Sequence, residues 1–448
     1  MSSVLIKSRR LVAGGKVGPG GVLIRDGRVE ALVPHSLPAP AGVALYDAEG
    51  LAVMPGLVDS HVHVNEPGRT AWEGFATATD AAAAGGVTTI VDMPLNCIPV
   101  TTSAAALQAK LRALEGQLRV DAAFWGGVVP GNAGELEALA AAGARGFKAF
   151  LCDSGVDDFP RATEQDLRLA MPILARLGLP LLLHAELCRA PAEPSDGGPR
   201  SYPAYVASRP PAWEVEAVEL AARLCGELRC RTHIVHLSAA QALPAIARAK
   251  TADSPLTVET CPHYLTFAAE EIEPGRTDLK CAPPIRARAN REKLWAAVQS
   301  GAIDMIVSDH SPCSPELKKL ESGDLTQAWG GIAGLQFTLP AAWTGLSARG
   351  GSLPELSRLV SEAPARLAGL ARKGRLEPGF DGDVVIWDPD APMIPTPETT
   401  RHRHKLSPYA GRTLRGSTAA VFLRGRTISG GAAAATDRRG RALLSKED

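Results

Sequence analysis

The sequence predicts an α/β protein, a (β/α)₈ TIM-like barrel beside a small β-sandwich built from both termini. Three observations carry that prediction. Eight apolar, β-rich runs, at 57–63, 87–93, 122–129, 146–151, 180–186, 232–238, 256–264 and 304–310, alternate with Ala/Leu-rich stretches. Continuous apolar strands separated by amphipathic helices mark parallel β/α units with both sheet faces covered, and eight such units suffice to close a barrel. The 448 residues also exceed the ~250 typical of one barrel, so a second domain must absorb the remainder. Finally, residues 4–53 and 375–430 share a texture of short strands broken by Gly and Asp, as in Gly21-Val-Leu-Ile-Arg25 before Asp26-Gly27 and in Asp383-Val-Val-Ile-Trp387. The expected division is therefore 1–53 for the first part of the sandwich, 54–374 for the barrel, and 375–448 for the rest of the sandwich and a tail.

A representative helix is expected at 213–224, where Trp213, Val215, Glu216, Val218, Leu220, Ala221 and Leu224 give an apolar stripe broken by acids. Pro-rich stretches at 35–41, 190–211 and 389–398 are expected to be connections, and 187–212, which follows a strand end, is long enough to form an active-site lid.

Composition excludes several classes of partner. Lys+Arg and Asp+Glu both number 48, so there is no basic excess to neutralise nucleic-acid phosphates or anionic lipid. No apolar run approaches the ~20 residues that span a bilayer, and the first ten residues lack the order of a signal peptide. Eight cysteines without a Cys-x-x-Cys pair fit reduced thiols in a cytoplasmic enzyme.

The chemistry is expected at the C-terminal rim of the barrel. In Gly56-Leu-Val-Asp-Ser-His61-Val-His63 the two histidines stand two apart on a strand and project to one face. Alone, the pair is a weak signal, and hydrogen-bonded polar residues at a strand end explain such a pair more often than a metal does. Lys148, His184, His236 and Asp309 add weight, because each falls near the end of a further predicted strand. A lysine between Phe147 and Phe150 loses its charge or needs a partner. An ion pair with Asp309 or Glu186 is one explanation, and carbamylation by CO₂ into a carboxylate-like bridging ligand is another. Four imidazoles, a modified lysine and a carboxylate supply the N and O donors that divalent ions such as Zn²⁺ prefer, enough for two ions and an open water position. A water shared by two ions becomes a nucleophile at neutral pH, and Asp309 could take its proton and pass it to a departing amide nitrogen. The plainer role for Asp309 is to cap the loop that follows.

The other histidines invite simpler explanations. His233, three before His236, is expected on the opposite strand face, outside the barrel. His402 and His404 lie in the basic run 401–405, expected to be a solvated loop. His310 can at most support the residues beside it. His263, ending the seventh strand, is as well placed to contact substrate as to be packed away.

These residues, in this order, resemble the cyclic amidohydrolase branch of the amidohydrolase superfamily, which comprises allantoinases, dihydroorotases, hydantoinases and dihydropyrimidinases. The resemblance runs from Met54-Pro-Gly-Leu-Val-Asp-Ser-His61 through Gly85-Gly-Val-Thr-Thr-Ile-Val-Asp-Met-Pro94 and Lys280-Cys-Ala-Pro-Pro-Ile-Arg286 to Gly374-Arg-Leu-Glu-Pro-Gly379 and Asp381-Gly-Asp-Val384. It implies His61, His63, Lys148, His184, His236 and Asp309 as metal ligands, with Lys148 carboxylated, Asp309 as the catalytic acid/base, and a homotetramer. Zn²⁺ is the expected ion, with Co²⁺, Mn²⁺ or Ni²⁺ also compatible with these donors.

Substrate class turns on His63-Val-Asn65-Glu-Pro-Gly-Arg-Thr-Ala-Trp72-Glu-Gly-Phe75. Dihydroorotases share Glu-Pro-Gly but carry an arginine at the place of Asn65, where it binds the substrate carboxylate. A carboxylate without that bidentate partner would bind poorly. Asn65 in this setting, Ser154-Gly-Val-Asp-Asp-Phe-Pro160 and Ala328-Trp-Gly-Gly-Ile332 are similar to allantoinases, whose reaction opens allantoin to allantoate. The same likeness nominates Asn65, Asn96, His263, Ala282 and Gly331 as substrate contacts. A hydantoinase, dihydropyrimidinase or dihydroorotase is the alternative enzyme. A non-catalytic scaffold is disfavoured because all six ligand positions are filled, and a one-metal deaminase would not need Lys148.

Overall fold

The computed structural model describes residues 3–188, 197–430, 438–444 and 448. Strands β1 (Ser3–Ala13), β2 (Lys16–Arg25), β3 (Arg28–Val33), β4 (Ala44–Asp47) and β5 (Ala52–Pro55) open the chain. The barrel strands follow: β6 (Leu57–Val62), β7 (Val87–Asp92), β8 (Asp121–Phe124), β9 (Gly126–Gly127), β10 (Phe147–Phe150), β11 (Leu181–His184), β12 (Thr232–Ile234), β13 (Leu256–Thr260) and β14 (Met305–Ile306). Strands β15 (Val384–Met393), β16 (Leu414–Leu423) and β17 (Arg426–Ser429) then return to the first group. Their order, β17-β16-β15-β5-β1-β2-β3 with β4 on β1, makes one sheet from both ends of the chain.

The barrel is parallel throughout, from β6 to β8 and from β9 to β14. Strands β8 and β9 are one strand bent at Trp125, whose backbone N–H still reaches the Asp92 carbonyl while Gly126 N–H turns to Gly146. The last seam closes when His63 N–H donates to the His310 carbonyl at 2.7 Å and Ser308 N–H donates to the Asp59 carboxylate at 3.1 Å. The layer between the strands and the helices is apolar, with Leu181, Leu183, Phe147 and Ile306 buried, each such side chain contributing about 1.5–3 kcal/mol.

Strand ends differ from the sequence expectation where the chain must redirect side chains. The sixth strand stops at Ile234 and the eighth at Ile306, ahead of left-handed backbone at His236 (φ 38°) and Asp309 (φ 44°). The seventh stops at Thr260, and Pro262 then opens a short helix (Pro262–Thr266) that contains His263. The helix at 213–224 extends over Pro211–Leu228 and buries Trp213, Ala217, Val218, Ala221, Leu224 and Cys225; Glu214 is buried beside them because Arg286 holds its carboxylate at 2.5 Å.

One connection is corrected. Residues 389–393 belong to β15, bulged between Asp388 and Pro392, which lets proline sit in a strand. The tail leaves the sandwich at 438–444 to lie along β8, where Ala122 N–H donates to the Arg441 carbonyl and Leu443 N–H to the Ala122 carbonyl. Of the expected lid at 187–212, residues 189–196 lie outside the described residues. The remainder carries a helix (Tyr202–Ala207) tied down by Tyr205 Oη, which donates to the Cys281 carbonyl at 2.7 Å. Among the described residues, no helix is long and apolar enough to cross a membrane.

Candidate metal centre

The strand ends bring five imidazoles, one lysine and three carboxylates to one rim, all buried. Lys148 Nζ lies 2.9 Å from His61 Nε2, and Asp309 Oδ1 lies 3.2 Å from the same nitrogen and 3.8 Å from His63 Nε2. On the far wall, His184 Nδ1 faces His236 Nε2 at 3.0 Å. His61, His236 and Asp309 offer donor atoms within 4.8 Å of one another. All six residues singled out for metal binding in the sequence thus share one locus. Nitrogen and oxygen donors converging from different strands at such distances fit divalent ions, with borderline Zn²⁺ among them.

Outer partners orient these donors. Glu259 accepts from His61 Nδ1 at 2.5 Å, His233 Nε2 at 2.9 Å and the backbone N–H of His236 at 3.3 Å. Glu186 takes His184 Nε2 at 2.8 Å, turning Nδ1 toward His236. The Asn96 amide sits 3.3 Å from His63 Nδ1. A carboxylate on the far ring nitrogen fixes tautomer and plane, as metal-ligating histidines require.

Electrostatics push the rim toward neutral donors. Burial, reinforced by the Lys148 charge, holds His61 and His63 well below the usual imidazole range, and burial with the neighbouring His184 does the same to His236. Burial draws Lys148 down to about 8 against the pull of Asp309 and Glu259. Burial lifts Asp309 to about 7, offset in part by Lys148. Neutral imidazole is the ligating form, and an amine near 8 is partly uncharged at neutral pH.

A cavity of about 580 Å³ opens on this rim. His63, Lys148, His184, His236 and Asp309 form its floor, while Asn96, Ala282 and Gly331 lie in its walls. Gly331 adopts φ 149°, and a Cβ there would lie 2.1 Å from the Ser311 carbonyl oxygen, so only glycine fits. Lys280 donates to the Ala328 carbonyl, and Lys318 to those of Trp329 and Gly331, which fixes that wall. Neither Asn65 nor His263 lines the cavity. Asn65 donates to the Pro312 carbonyl at 3.1 Å, and His263 is fully buried.

Three expectations are corrected. His233 points into the barrel, because the kink at His236 breaks strand alternation and aligns His233 with Thr257 and Glu259 on the next strand. His402 is buried rather than solvated, packed 4.7 Å from the His310 ring and accepting from Gln336 N–H. Glu186 pairs with His184 and Arg209 instead of Lys148. Glu259 is a further functional residue, and its signal in the sequence, a glutamate inside Leu256-Thr-Val-Glu259-Thr260, is the one Lys148 gives in its strand.

Residues 52–428 match the amidohydrolase family. The protein belongs to that family. This amidohydrolase is 45% identical to an allantoinase of Streptomyces avermitilis over 99% of both chains, and 49% identical to a mitochondrial allantoinase of Aquarana catesbeiana over 82% of this chain and 76% of that one. It superposes on the L-hydantoinase of Arthrobacter aurescens with a TM-score of 0.93 at 31% identity, covering 99% of this chain and all of that one. It is a cyclic amidohydrolase enzyme, and its barrel and sandwich are those of the family.

Proposed function

We propose that this amidohydrolase hydrolyses the ring amide of allantoin to give allantoate. One observation carries the choice of substrate. Of the three segments similar to allantoinases, 154–160 and 328–332 line a single cavity, and 65–75 packs against its wall through Trp72. Trp72 packs on Trp329 with ring centroids 4.9 Å apart, and Gly155 backs onto the same indole. Likeness spread by descent alone would not need to converge on the pocket.

His61, His63, Lys148, His184, His236 and Asp309 would hold two divalent ions, Zn²⁺ first among the candidates, with Lys148 carboxylated and bridging them. When bound, the ions would acidify water and polarise the ring carbonyl. The protein's own groups do the rest. Asp309, facing the cavity beside His61 and His63, accepts a proton as water adds to the carbonyl and returns it to the ring nitrogen as the C–N bond breaks. Phe150, stacked 4.4 Å from the His184 ring, covers one face of that ligand in the cavity wall. The backbone at Ala282, the Gly331 carbonyl and the Asn96 amide offer hydrogen bonds to an uncharged ureide.

Hydrolysis of 5-substituted hydantoins is the second reading, supported by the closeness of fold to the L-hydantoinase. Dihydroorotate fits less well, since the cavity's arginine, Arg209, is already matched by Glu186. The eight free cysteines, seven of them buried, support a cytoplasmic enzyme, and a homotetramer remains the expected assembly, to be measured by light scattering.

The test is turnover by purified, metal-loaded enzyme with allantoin, dihydroorotate, dihydrouracil and a panel of 5-substituted hydantoins. Allantoin should be the preferred substrate and chelation should abolish turnover; faster opening of dihydroorotate or dihydrouracil would sink the assignment. Lys148→Ala should lose metal and recover activity with added short-chain carboxylates, whereas full activity without them would refute the bridging role.

A further inference from the structure

One wall of the cavity is formed by a chain of charged groups that begins at the metal rim. His236 faces His184, His184 holds Glu186, and Glu186 is gripped by Arg209 through Nε at 3.1 Å and Nη2 at 2.5 Å. Arg209 lines the cavity with its side chain 22% exposed. Its Nη1 makes no hydrogen bond among the described residues. The stem is anchored from behind, because Arg286 Nη1 donates to the Arg209 carbonyl. Asp153 lies in the same cavity wall system and offers a carboxylate acceptor.

Such an arginine has an unusual combination of properties. Its guanidinium is preorganised by a forked bond to Glu186, so little freedom is lost when a further acceptor arrives. Its charge is largely cancelled by a fully buried partner, so it offers directed donors without a net field for an anion. A neutral planar group with a carbonyl acceptor and flanking N–H donors matches it better than a carboxylate does. Arg209 stands one carboxylate and one imidazole from the His236 ring, and both line the same cavity.

We propose that Arg209 is a specificity-determining residue, its Nη1 donating to the carbonyl of the ureido arm of the substrate while the ring amide lies at the metal rim. This rests on the allantoin reading and deepens it. Hydantoin itself, which lacks the arm, gains nothing from Arg209. The arrangement also explains how a cavity with an arginine in its wall serves a neutral ureide.

The experiment compares wild-type, Arg209→Met and Arg209→Lys as full-length, metal-loaded enzyme, with metal content checked by elemental analysis. Allantoin and hydantoin are the substrates, and their ring-opened products, allantoate and ureidoacetate, are competitive inhibitors whose affinity needs no turnover. Loss of a hydrogen bond from a charged donor should weaken allantoate relative to ureidoacetate by about tenfold to hundredfold in Arg209→Met. The ratio of kcat/KM for allantoin over hydantoin should fall in step. Equal losses for both members of each pair would mean that Arg209 only positions Glu186 and His184, and would overturn the proposal. If Arg209→Met does not accumulate folded, Arg209→Lys keeps a cation for Glu186, and the same ratios decide. Wild-type enzyme that opens hydantoins but leaves allantoin intact would instead overturn the functional reading, and this inference with it.

Discussion

The two ends of the barrel carry buried polar clusters of opposite design. At the bottom, against the sandwich, Lys373 Nζ reaches Asp121 at 2.6 Å, Asp383 at 2.7 Å and Asp381 at 2.8 Å, and Arg424 pairs with Asp121. Arg372 lies 3.6 Å from Asp381, so three carboxylates meet three cations. At the rim, His61, His63 and His236 are held neutral, Lys148 is drawn down to about 8 and Asp309 is lifted to about 7. One cluster satisfies itself with ionised groups, while the other suppresses ionisation and presents donor atoms. Charge balance marks a structural joint, and charge suppression at convergent donors marks a place prepared for a cation. The positions agree, since barrel enzymes keep chemistry at the C-terminal face and stability at the other.

The sharpest way to break this contrast is at Asp309. Asp309→Asn removes the proton carrier with little change of shape, and kcat should fall about 10²–10⁴-fold while elemental analysis still finds metal. Undiminished turnover by the metal-loaded variant would return Asp309 to a loop cap.

At the opposite end, Lys373→Met should leave three buried carboxylates short of a cation and lower unfolding stability by about 3–5 kcal/mol, measured by urea denaturation. The enzyme that remains folded should keep its kcat per bound metal. A loss of kcat without a loss of stability would mean that the two ends are not separable.

Glu259→Gln tests the rim's outer layer. It removes the charge shared by His61 and His233 without altering volume, and should weaken metal affinity or activity by about 10–100-fold. Equilibrium dialysis against chelator, set beside kcat at saturating metal, separates the two effects.

Much of the barrel and of the rim is legible in the sequence, for a definite reason. His61, His63, Lys148, His184, His236 and Asp309 are polar residues at the ends of apolar runs, and burying them needs a chemical explanation that composition alone exposes. What depends on backbone direction is not legible in this way. Strand alternation predicts an outward His233, and alternation fails once His236 takes φ 38°. Arg209 reaches the cavity through a connection with no period, and His402 is buried only because the chain returns from the sandwich to cover His310 and Phe337. Asn65 stands beside the ligands in sequence, yet its left-handed backbone sends the amide to Pro312 instead of the cavity.

His402 supplies the gentlest test of how far the joint and the rim differ. Burial holds its imidazole down to about 3, helped by the nearby His310 and opposed by Glu73. In the unfolded chain the ring titrates near 6.5, so between pH 6.5 and 3 the unfolded state binds a proton that the folded state refuses. Stability therefore falls with falling pH through that window by roughly 1.4 kcal/mol per unit for this one group. His402→Gln keeps an acceptor for Gln336 N–H and removes the titration. Urea unfolding curves from pH 6.5 to 4.5 should then show a shallower acid loss by about one proton, with turnover near neutral pH unchanged because His402 does not line the cavity. An unchanged slope would mean that the ring already gains its proton in the folded protein, against the neutral packing seen beside His310.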